Sequence, residues 1–341
     1  MNGLSYFMNW NHAVRHTMSK EYRIGDIEKL FKAQVVRNTI LAAEKNGDIP
    51  LAIRKPDHHI KSRFWSTEQL PFIGKKFGFL STPKKQHLIV VHVAKGANLK
   101  SSLTFNLARM LAINGIKTLV VGLDSQASVT NALIRDEPQS IAEIKPRKGL
   151  YHLFYENTKE IIIPTDLPTL SLIPESIELY RLDRQLRFES FKEHLFAKHL
   201  IPILSDYKVI IFDTAPSWSA LIENALTIAT SIICPLSCDI ETYIAIQTNR
   251  EVIFDYLSKL NKDIPLWHVP VLLEKTNLSQ QIYGSYLTSY QDQVLPFPIR
   301  KSVNAQEARL KKLSIIEHDP SSLLANDYYD LVMDMWGKLN G

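Results

Sequence analysis

Short apolar runs alternate with helical stretches along most of this chain. The runs are rich in β-branched residues and have the length of buried strands: 88–94, 117–124, 169–173, 208–213, 231–236 and 267–273. Segments with a 3.6-residue apolar period separate them, and the first is predicted to be a helix from about Ser102 to Asn114. Strands that alternate with helices build βαβ units. The pattern therefore predicts an α/β fold with a doubly wound, mostly parallel sheet, whose ligand lies at the carboxyl ends of the strands.

The first 80 residues follow a different pattern. Apolar positions predict one short helix from Tyr22 to Phe31 and a second from Val35 to Lys45, which the pair Asn46-Gly47 ends. Two short helices with a tight connection form a helix-turn-helix, and the basic stretch 48–63 could add a wing. We therefore divide the chain into an interaction helix (1–20), a helix-turn-helix domain (21–80), a linker (81–87) and an α/β domain (88–341).

Composition excludes several classes of protein. The apolar fraction of 45% and the charged fraction of 22% are ordinary for a soluble domain, and no apolar run approaches the ~20 residues of a membrane span. The first 20 residues lack the continuous apolar core of a signal peptide. The two cysteines, Cys234 and Cys238, lie in a predicted buried strand and its exit, where neither a disulfide nor a metal site is expected. We expect a cytoplasmic protein.

Charge is distributed unevenly. Residues 1–86 carry 15 Lys/Arg and 7 Asp/Glu, whereas the remainder carries 25 and 28. A basic amino-terminal segment on a near-neutral body indicates a module that faces nucleic acid, although a solvated basic surface has the same composition.

The loop after the first predicted strand contains the elements of a phosphate-binding loop. Lys100 is placed to reach the β/γ-phosphates and Ser101 to bind Mg²⁺ through its hydroxyl. Leu99 stands where a glycine usually precedes the lysine, so the ordinary Walker A pattern is not matched. An additional lysine, Lys95, begins the loop.

The segment KGANLKSS resembles the deviant Walker A motif of the ParA/MinD ATPase family. The next strand ends in Asp124-Ser125-Gln126-Ala127, similar to the family's Asp-Pro-Gln-Gly segment, and YKVIIFDTAPSW resembles its Walker B strand and exit. The resemblance runs from about Gln86 and weakens after about residue 270. Leu99, and Gly122 before Leu123-Asp124, resemble the large, self-regulating (type Ia) ParA partition proteins, which carry an N-terminal helix-turn-helix.

The resemblance implies a P-loop ATPase domain at 88–341 with ATP or ADP and Mg²⁺ as cofactors. It implies catalytic roles for Lys95, which reaches across a dimer interface, for Lys100, and for Asp124, which positions the attacking water. Mg²⁺ would be bound by Ser101 and, through a water, by Asp213. The nucleotide-binding residues would be Lys95, Gly96, Ala97, Asn98, Leu99, Lys100, Ser101 and Ser102. Neither Ala97 nor Ser125 follows the family pattern, and a Cβ at position 97 leaves the rate of hydrolysis open.

DNA contacts are predicted from the basic residues. Arg37 and Asn38 lie early on the predicted recognition helix, where side chains read guanine and adenine edges. Residues predicted to meet phosphates are Lys45, Arg54, Lys55, Lys61 and Arg63. The resemblance adds a second basic stretch with nonspecific DNA contacts, at Arg300 and Lys301 and further at Arg309, Lys311 and Lys312; a solvated helix face is the alternative.

The function implied is DNA partition, as in plasmid segregation. ATP would drive formation of a homodimer that binds nonspecific DNA, a ParB-type centromere-binding protein would stimulate hydrolysis, and the helix-turn-helix would bind the operator of the protein's own operon. Two alternatives stay open: a transcriptional repressor with a hydrolysis-defective ParA fold, and a positioner of another cargo. The last predicted helix has an apolar face and an acidic face, which argues against a membrane-surface role.

Overall fold

The computed structural model describes residues 20–32, 36–54, 63–95, 99–134 and 147–341, and the following refers to these residues. The strands are β1 (Ile53–Arg54), β2 (Arg63–Phe64), β3 (His87–Val91), β4 (Thr118–Leu123), β5 (Ile163–Pro164), β6 (Leu170–Ile173), β7 (Val209–Thr214), β8 (Ser231–Ser237), β9 (Leu266–Leu273) and β10 (Ile299–Arg300). The helices are α1 (Ile24–Leu30), α2 (Arg37–Asn46), α3 (Leu70–Phe77), α4 (Lys100–Ile113), α5 (Ser128–Leu133), α6 (Leu150–Tyr155), α7 (Leu179–Leu186), α8 (Leu195–His199), α9 (Ala220–Ile228), α10 (Ile240–Lys259), α11 (Asn277–Tyr290), α12 (Asn304–Leu310), α13 (Ile315–His318) and α14 (Leu323–Asn340).

Eight strands form one sheet in the order β10-β9-β8-β3-β7-β4-β6-β5. All neighbours pair in parallel except β5 and β6, which are antiparallel. The predicted doubly wound, mostly parallel sheet is confirmed. The chain leaves β3 for β4, two positions away on one side, and later adds β8 on the other side. This reversal opens a crevice at the carboxyl ends of β3 and β7, where open α/β sheets bind ligands.

The central strands have both faces covered. Every residue of β3, β4, β7 and β8 is buried, as expected for parallel strands with helices on each face. Helix α4 is buried at all positions except Ser101 and Ser102. It begins at Lys100, two residues before the predicted start, because the loop turns directly into the helix. Cys234 and Cys238 are buried, as predicted.

The amino-terminal segment contains the two predicted helices. Helix α2 ends at Gly47, whose φ of 76° is the left-handed conformation that glycine adopts without strain. Beyond it, β1 and β2 pair antiparallel as a two-stranded ribbon. Helices followed by a small ribbon match the order of elements expected for a winged arrangement; a role in DNA binding stays a prediction, as do the domain boundaries. The predicted helix at 1–20 lies outside the described residues, apart from Lys20.

This amino-terminal segment packs directly on the α/β body. The Tyr22 hydroxyl donates to Glu317 Oε1 (3.1 Å), and the Tyr329 hydroxyl donates to the carbonyl of Leu30 (2.6 Å). At the predicted linker, Trp336 Nε1 donates to the carbonyl of Ser81 (2.9 Å). Apolar side chains of α1, α2 and α3 belong to the same buried cluster as those of α4 and α14.

A buried ion cluster lies beneath this contact. Arg109, fully buried on α4, donates to both oxygens of Asp166 (2.7 and 3.1 Å) and both oxygens of Glu317 (2.5 and 2.7 Å). Burial acts to raise the pKa of Glu317, but the Arg109 charge outweighs it and lowers that pKa to about 2. Glu317 also accepts from Tyr22, so the cluster joins the amino-terminal segment to α4.

In the last helix, α14, the predicted core-facing residues Leu331, Val332, Met335 and Trp336 are buried, and Leu339 is partly buried. Within the described part of the chain, no helix is both long enough and apolar enough to cross a membrane.

We predict that Gly74→Ala destabilises the protein. A Cβ on Gly74 in α3 would lie 1.8 Å from the carbonyl oxygen of Ile113, and a backbone atom cannot move aside cheaply. The expected loss in the free energy of unfolding is about 3 kcal/mol, and the melting temperature measures it.

Gly284→Ala is the matched control, because Gly284 is also helical and no atom lies within 4 Å of its Cβ position. That variant should be neutral or up to ~1 kcal/mol more stable. Equal melting temperatures for the two variants would contradict the close packing of α3 on α4.

Candidate nucleotide and magnesium site

The crevice at the carboxyl ends of β3 and β7 brings together the predicted phosphate-loop and Walker B residues. Ser101 Oγ donates to Asp213 Oδ2 (2.6 Å), and Thr104 Oγ1 donates to Asp213 Oδ1 (3.1 Å). Both hydroxyls come from the first turns of α4, three residues apart and so on one helix face. Asp213 is the fifth residue of β7 and is fully buried. Parallel pairing of β3 with β7 therefore places the end of the Walker B strand against the start of α4.

Asp213 lies in a poorly solvated environment. Burial raises its pKa to about 6, against the hydrogen bonds from Ser101 and Thr104 and the charge of Lys100. A carboxylate and a hydroxyl are oxygen ligands that suit Mg²⁺, which usually takes one or two carboxylate contacts together with phosphates and waters. Among the residues described, no group of three or more His, Cys, Asp or Glu side chains could hold a metal ion by itself. The pair Ser101 and Asp213 thus fits a magnesium ion that a nucleotide helps to hold.

Lys100 is the first residue of α4, and its side chain points into the same crevice. Its Nζ donates to the carbonyl of Lys95 (3.4 Å), and only 7% of the residue is exposed. Burial lowers the pKa of Lys100, opposed by the charges of Asp213 and Asp124. The ammonium group thus lies at the start of a helix, where anions bind, and within the electrostatic influence of both carboxylates.

Asp124 follows β4 directly. Its Oδ1 accepts from the backbone N–H of Gln126 (3.0 Å), and its carbonyl accepts from Ala127 N–H (2.9 Å). The residue is partly exposed, as a group that meets solvent-derived ligands must be. The structure thus places Asp124 in the same crevice as Lys100, whose pKa it influences.

Lys95 has partners within its own chain. Its Nζ lies 3.1 Å from Asp239 Oδ1, 3.0 Å from Glu241 Oε2 and 3.2 Å from Thr242 Oγ1. Burial acts to lower the pKa of Lys95, but hydrogen bonds to Glu241 and Asp239 outweigh it and raise that pKa. These acidic partners follow β8, and no pairing with Lys95 was predicted for them.

Leu99 has a backbone conformation that explains why glycine is usual here. Its φ of 52° and ψ of 21° are left-handed, which costs a residue with a Cβ about 1 kcal/mol or more. The side chain is partly buried against the core and lines a cavity of about 200 Å³ beside α4. Ser102 lines the same cavity. Gly96, Ala97 and Asn98 lie outside the described residues.

The cavity lies between the first turns of α4 and the segment after β10. Its walls are mostly apolar and include Phe105, Ile299 and Tyr328, and Ser101 also lines it. Sequence reasoning missed this cavity because its walls come from segments nearly 200 residues apart.

His92 is a further residue that sequence reasoning missed. It follows β3, is fully buried, and its Nδ1 lies 2.8 Å from Thr214 Oγ1, which itself donates to the carbonyl of Val91 (2.9 Å). Thr214 can then only accept, so Nδ1 carries the imidazole proton. Burial and the Lys100 charge lower the pKa of His92 to about 3. His92 is therefore neutral and links the ends of the two central strands.

The predicted DNA-contact residues are spread over two regions. Arg37, Asn38 and Lys45 are exposed on α2, and Arg54 is exposed on β1. Arg63 donates to the buried carboxylate of Glu44 (2.9 Å). Lys55 and Lys61 lie outside the described residues.

In the second region, Arg300 donates to both oxygens of Asp327 (2.6 Å each), and Lys301 donates to Glu274 (2.7 Å). A phosphate contact by Arg300 would require its ion pair to break.

Comparison with known proteins places this site in a family. Residues 86–265, more than half of the chain, match the family model AAA_31, an AAA domain. The chain is 26% identical over 252 residues to the sporulation initiation inhibitor protein Soj of Bacillus subtilis, covering 73% of this chain and 97% of that protein. It belongs to this family of ParA/MinD-type P-loop ATPases, as the motifs predicted.

Two solved structures share the fold. A plasmid partition protein from Borrelia burgdorferi aligns with a TM-score of 0.60 at 22% identity, over 75% of this chain and all of that one. Cobyrinic acid a,c-diamide synthase from Mycobacterium smegmatis, solved with an ATP analogue and magnesium, aligns with a TM-score of 0.56 at 23% identity, over 67% of this chain and 92% of that one.

We predict that Asp213→Asn raises the melting temperature of the nucleotide-free protein at pH 7.5. In the folded protein the pKa of Asp213 is raised from 3.8 to about 6. The protonated carboxyl group therefore contributes stability that is fully present below pH ~4 and is lost as the pH rises through 6. The two pKa values differ by an amount worth about 3 kcal/mol. Thermal melts between pH 5 and 8 should show the gain growing with pH and then levelling.

The control for this test is Asp206→Asn, a carboxylate whose side chain is 77% exposed and which should change little. A melting temperature below that of the wild type for Asp213→Asn at pH 7.5 would show that the ionised carboxylate stabilises the fold.

Proposed function

We propose that this protein is an ATP-dependent DNA-partition ATPase that acts in the cytoplasm on nucleoid DNA. The observation that carries the proposal is the convergence of Lys100, Ser101 and Asp213 at the carboxyl ends of β3 and β7. Membership of the ParA/MinD-type family, which includes partition proteins, supports the same reading. The ligands are ATP or ADP with Mg²⁺.

Each residue has a role that follows from its position. Lys100 would bind the β/γ-phosphates, Ser101 and, through a water, Asp213 would hold the metal, and Asp124 would orient the attacking water. The metal supplies neutralisation of phosphate charge. Phosphoryl transfer relies mainly on positioning and electrostatic stabilisation, which a buried, prearranged crevice provides. The apolar cavity beside α4 suits the adenine base, because it adjoins Ser101 and offers Phe105 and Tyr328 as walls.

ATP binding would drive formation of a homodimer in which Lys95 reaches the partner's nucleotide. In the single chain, Asp239 and Glu241 hold this lysine, so it must exchange both ion pairs for phosphate contacts. Exposed ion pairs contribute only about 0–1 kcal/mol, so the exchange is inexpensive. The two ion pairs thus hold the Lys95 side chain within its own chain until a dimer forms.

DNA binding is assigned to two surfaces. Exposed Arg37 and Asn38 at the start of α2 suit readout of operator bases, and Lys45 and Arg54 suit phosphates. Lys301, with the residues of the second basic stretch, would serve nonspecific DNA. Autoregulation of its own operon and stimulation of hydrolysis by a ParB-type partner complete the proposal.

We expect Lys100→Ala to lower ATP turnover by about 100-fold or more, because a preorganised charge at the phosphates is lost. Turnover is measured for wild type and variant with Mg-ATP, each with and without duplex DNA and the candidate partner. Lys117→Ala is the matched control, an exposed lysine after α4 that should keep wild-type turnover. Wild-type turnover equal to that of Lys100→Ala under every condition would refute the ATPase activity. ATP binding without turnover would then favour the repressor with a hydrolysis-defective fold.

We expect Arg37→Ala to weaken binding to the upstream promoter by about 10- to 100-fold, the usual loss for one base contact. Electrophoretic mobility shifts measure it, and ATP turnover without DNA should be unchanged. Lys259→Ala, on the far end of α10, is the control and should bind as the wild type does. Equal promoter affinity for Arg37→Ala and wild type would remove α2 as the recognition helix.

A further inference from the structure

Glu175 is a buried carboxyl group that the proposed chemistry does not use. It follows β6 by two residues and is only 5% exposed. A Cβ on Gly122 of β4 would lie 2.2 Å from its Cδ and 2.5 Å from Oε2, so the Glu175 carboxyl fills the space that the missing side chain leaves. Gly122 pairs in register with Asp213, and residues paired in this way project to the same face of a sheet. The Glu175 carboxyl group therefore lies on the same face of the sheet as Asp213, over β4, the strand next to β7.

Glu175 makes a reciprocal contact with Thr130. Its Oε2 accepts from the Thr130 backbone N–H (3.2 Å) and from the Thr130 hydroxyl, and that hydroxyl accepts from the Glu175 backbone N–H (3.1 Å). Thr130 is in the first turn of α5, where backbone N–H groups lack acceptors within the helix. The carboxyl group thus caps α5 from the neighbouring strand.

Helix α5 is joined to Asp124 by a tight turn. Ala127, in the left-handed conformation (φ 53°), donates its N–H to the Asp124 carbonyl (2.9 Å), and its own carbonyl accepts from Asn131 N–H (3.0 Å). Three residues separate Asp124 from α5, so a displacement of the helix moves the turn and the carboxylate with it.

We propose that Glu175 is a positioning residue for hydrolysis: through Thr130 it holds α5, and thereby holds Asp124 in the geometry that orients the attacking water. This inference rests on the proposed ATPase activity. The contact tolerates protonation, because Oε1 has no hydrogen-bond partner among the described residues and can carry a proton while Oε2 accepts from Thr130. Burial raises the pKa of Glu175 to about 7, with the Asp213 charge adding to it, so both forms occur near neutral pH.

The test removes the contact from either side. Glu175→Ala and Thr130→Val should each lower kcat by about tenfold or more, because a small misplacement of a catalytic group is costly. Affinity for a fluorescent ATP analogue should stay within about twofold, since Lys100 and Ser101 are untouched. Glu175→Gln and Thr130→Ser keep the acceptor and the hydroxyl and should restore kcat to within about twofold of the wild type. The double variant Glu175→Ala/Thr130→Val should be no slower than either single variant.

Asn224→Ala is the matched control for loss of a buried polar side chain. Asn224, on α9, makes three hydrogen bonds, none of them to the turn or to α5, so this variant should lose thermal stability and keep kcat. If Glu175→Ala does not fold, Thr130→Val measures the same contact. Wild-type kcat for Thr130→Val, or a loss of kcat in Glu175→Gln equal to that in Glu175→Ala, would overturn the inference.

Hydrogen–deuterium exchange separates this inference from the proposed function. In the nucleotide-free protein, both disruptive variants should speed amide exchange across residues 124–133 by about tenfold, whereas the conservative variants should not. If ATP turnover by the wild type does not depend on Lys100, the proposed ATPase activity is refuted. The exchange data then test by themselves whether Glu175 and Thr130 hold the segment 124–133. Unchanged exchange in Glu175→Ala and Thr130→Val would overturn it.

Discussion

Helix α4 is almost wholly buried and is held by charged groups near both ends. At its start, the Ser101 hydroxyl donates to Asp213, and eight residues further on Arg109 binds Asp166 and Glu317. An unpaired charge at the depth of Arg109 would cost several kcal/mol, so its two carboxylate partners have to be in place. The position of α4 is thereby specified relative to the sheet and to the carboxyl-terminal helices. Because Glu317 also accepts from Tyr22, the amino-terminal segment depends on the same helix.

Several ionisable side chains in and around the crevice are buried away from water. Asp213 and Glu175 are both buried carboxyl groups with raised pKa values, and His92, which contacts Thr214 at the end of β7, is neutral. Such an arrangement destabilises the nucleotide-free fold, and it is typical of sites that receive a charged ligand. A bound metal ion and the nucleotide phosphates would supply the charges that balance those of the buried side chains. The strained Leu99 before α4 adds to this cost, since a left-handed leucine is disfavoured wherever it occurs.

Leu99 and Gly122, the two residues that resemble the large ParA proteins, have different consequences. Leu99 accepts strain and lines the cavity where the base is proposed to bind. Gly122 leaves a space on β4, and the carboxyl group of Glu175 enters it from β6. Because Gly122 has no side chain, the carboxyl group of Glu175 can lie over β4, on the face of the sheet that carries Asp213. The amino-terminal helices, by contrast, keep their basic residues at the surface, where DNA can reach them.

Local pattern was sufficient for much of this protein. Apolar periodicity predicted the strands and helices, because burial on one or both faces leaves a period in the residues themselves, and the motifs predicted that Lys100, Ser101 and Asp213 would meet. The sequence could not indicate that Glu175 would fill the space at Gly122, that Asp239 and Glu241 would hold Lys95, or that Arg109 would join Glu317. The residues in these contacts are 53 to 208 positions apart in the chain, and no motif links the elements that carry them. Only the order of strands in the sheet and the packing of helices on it bring such residues together, and that information is absent from any local stretch of the chain.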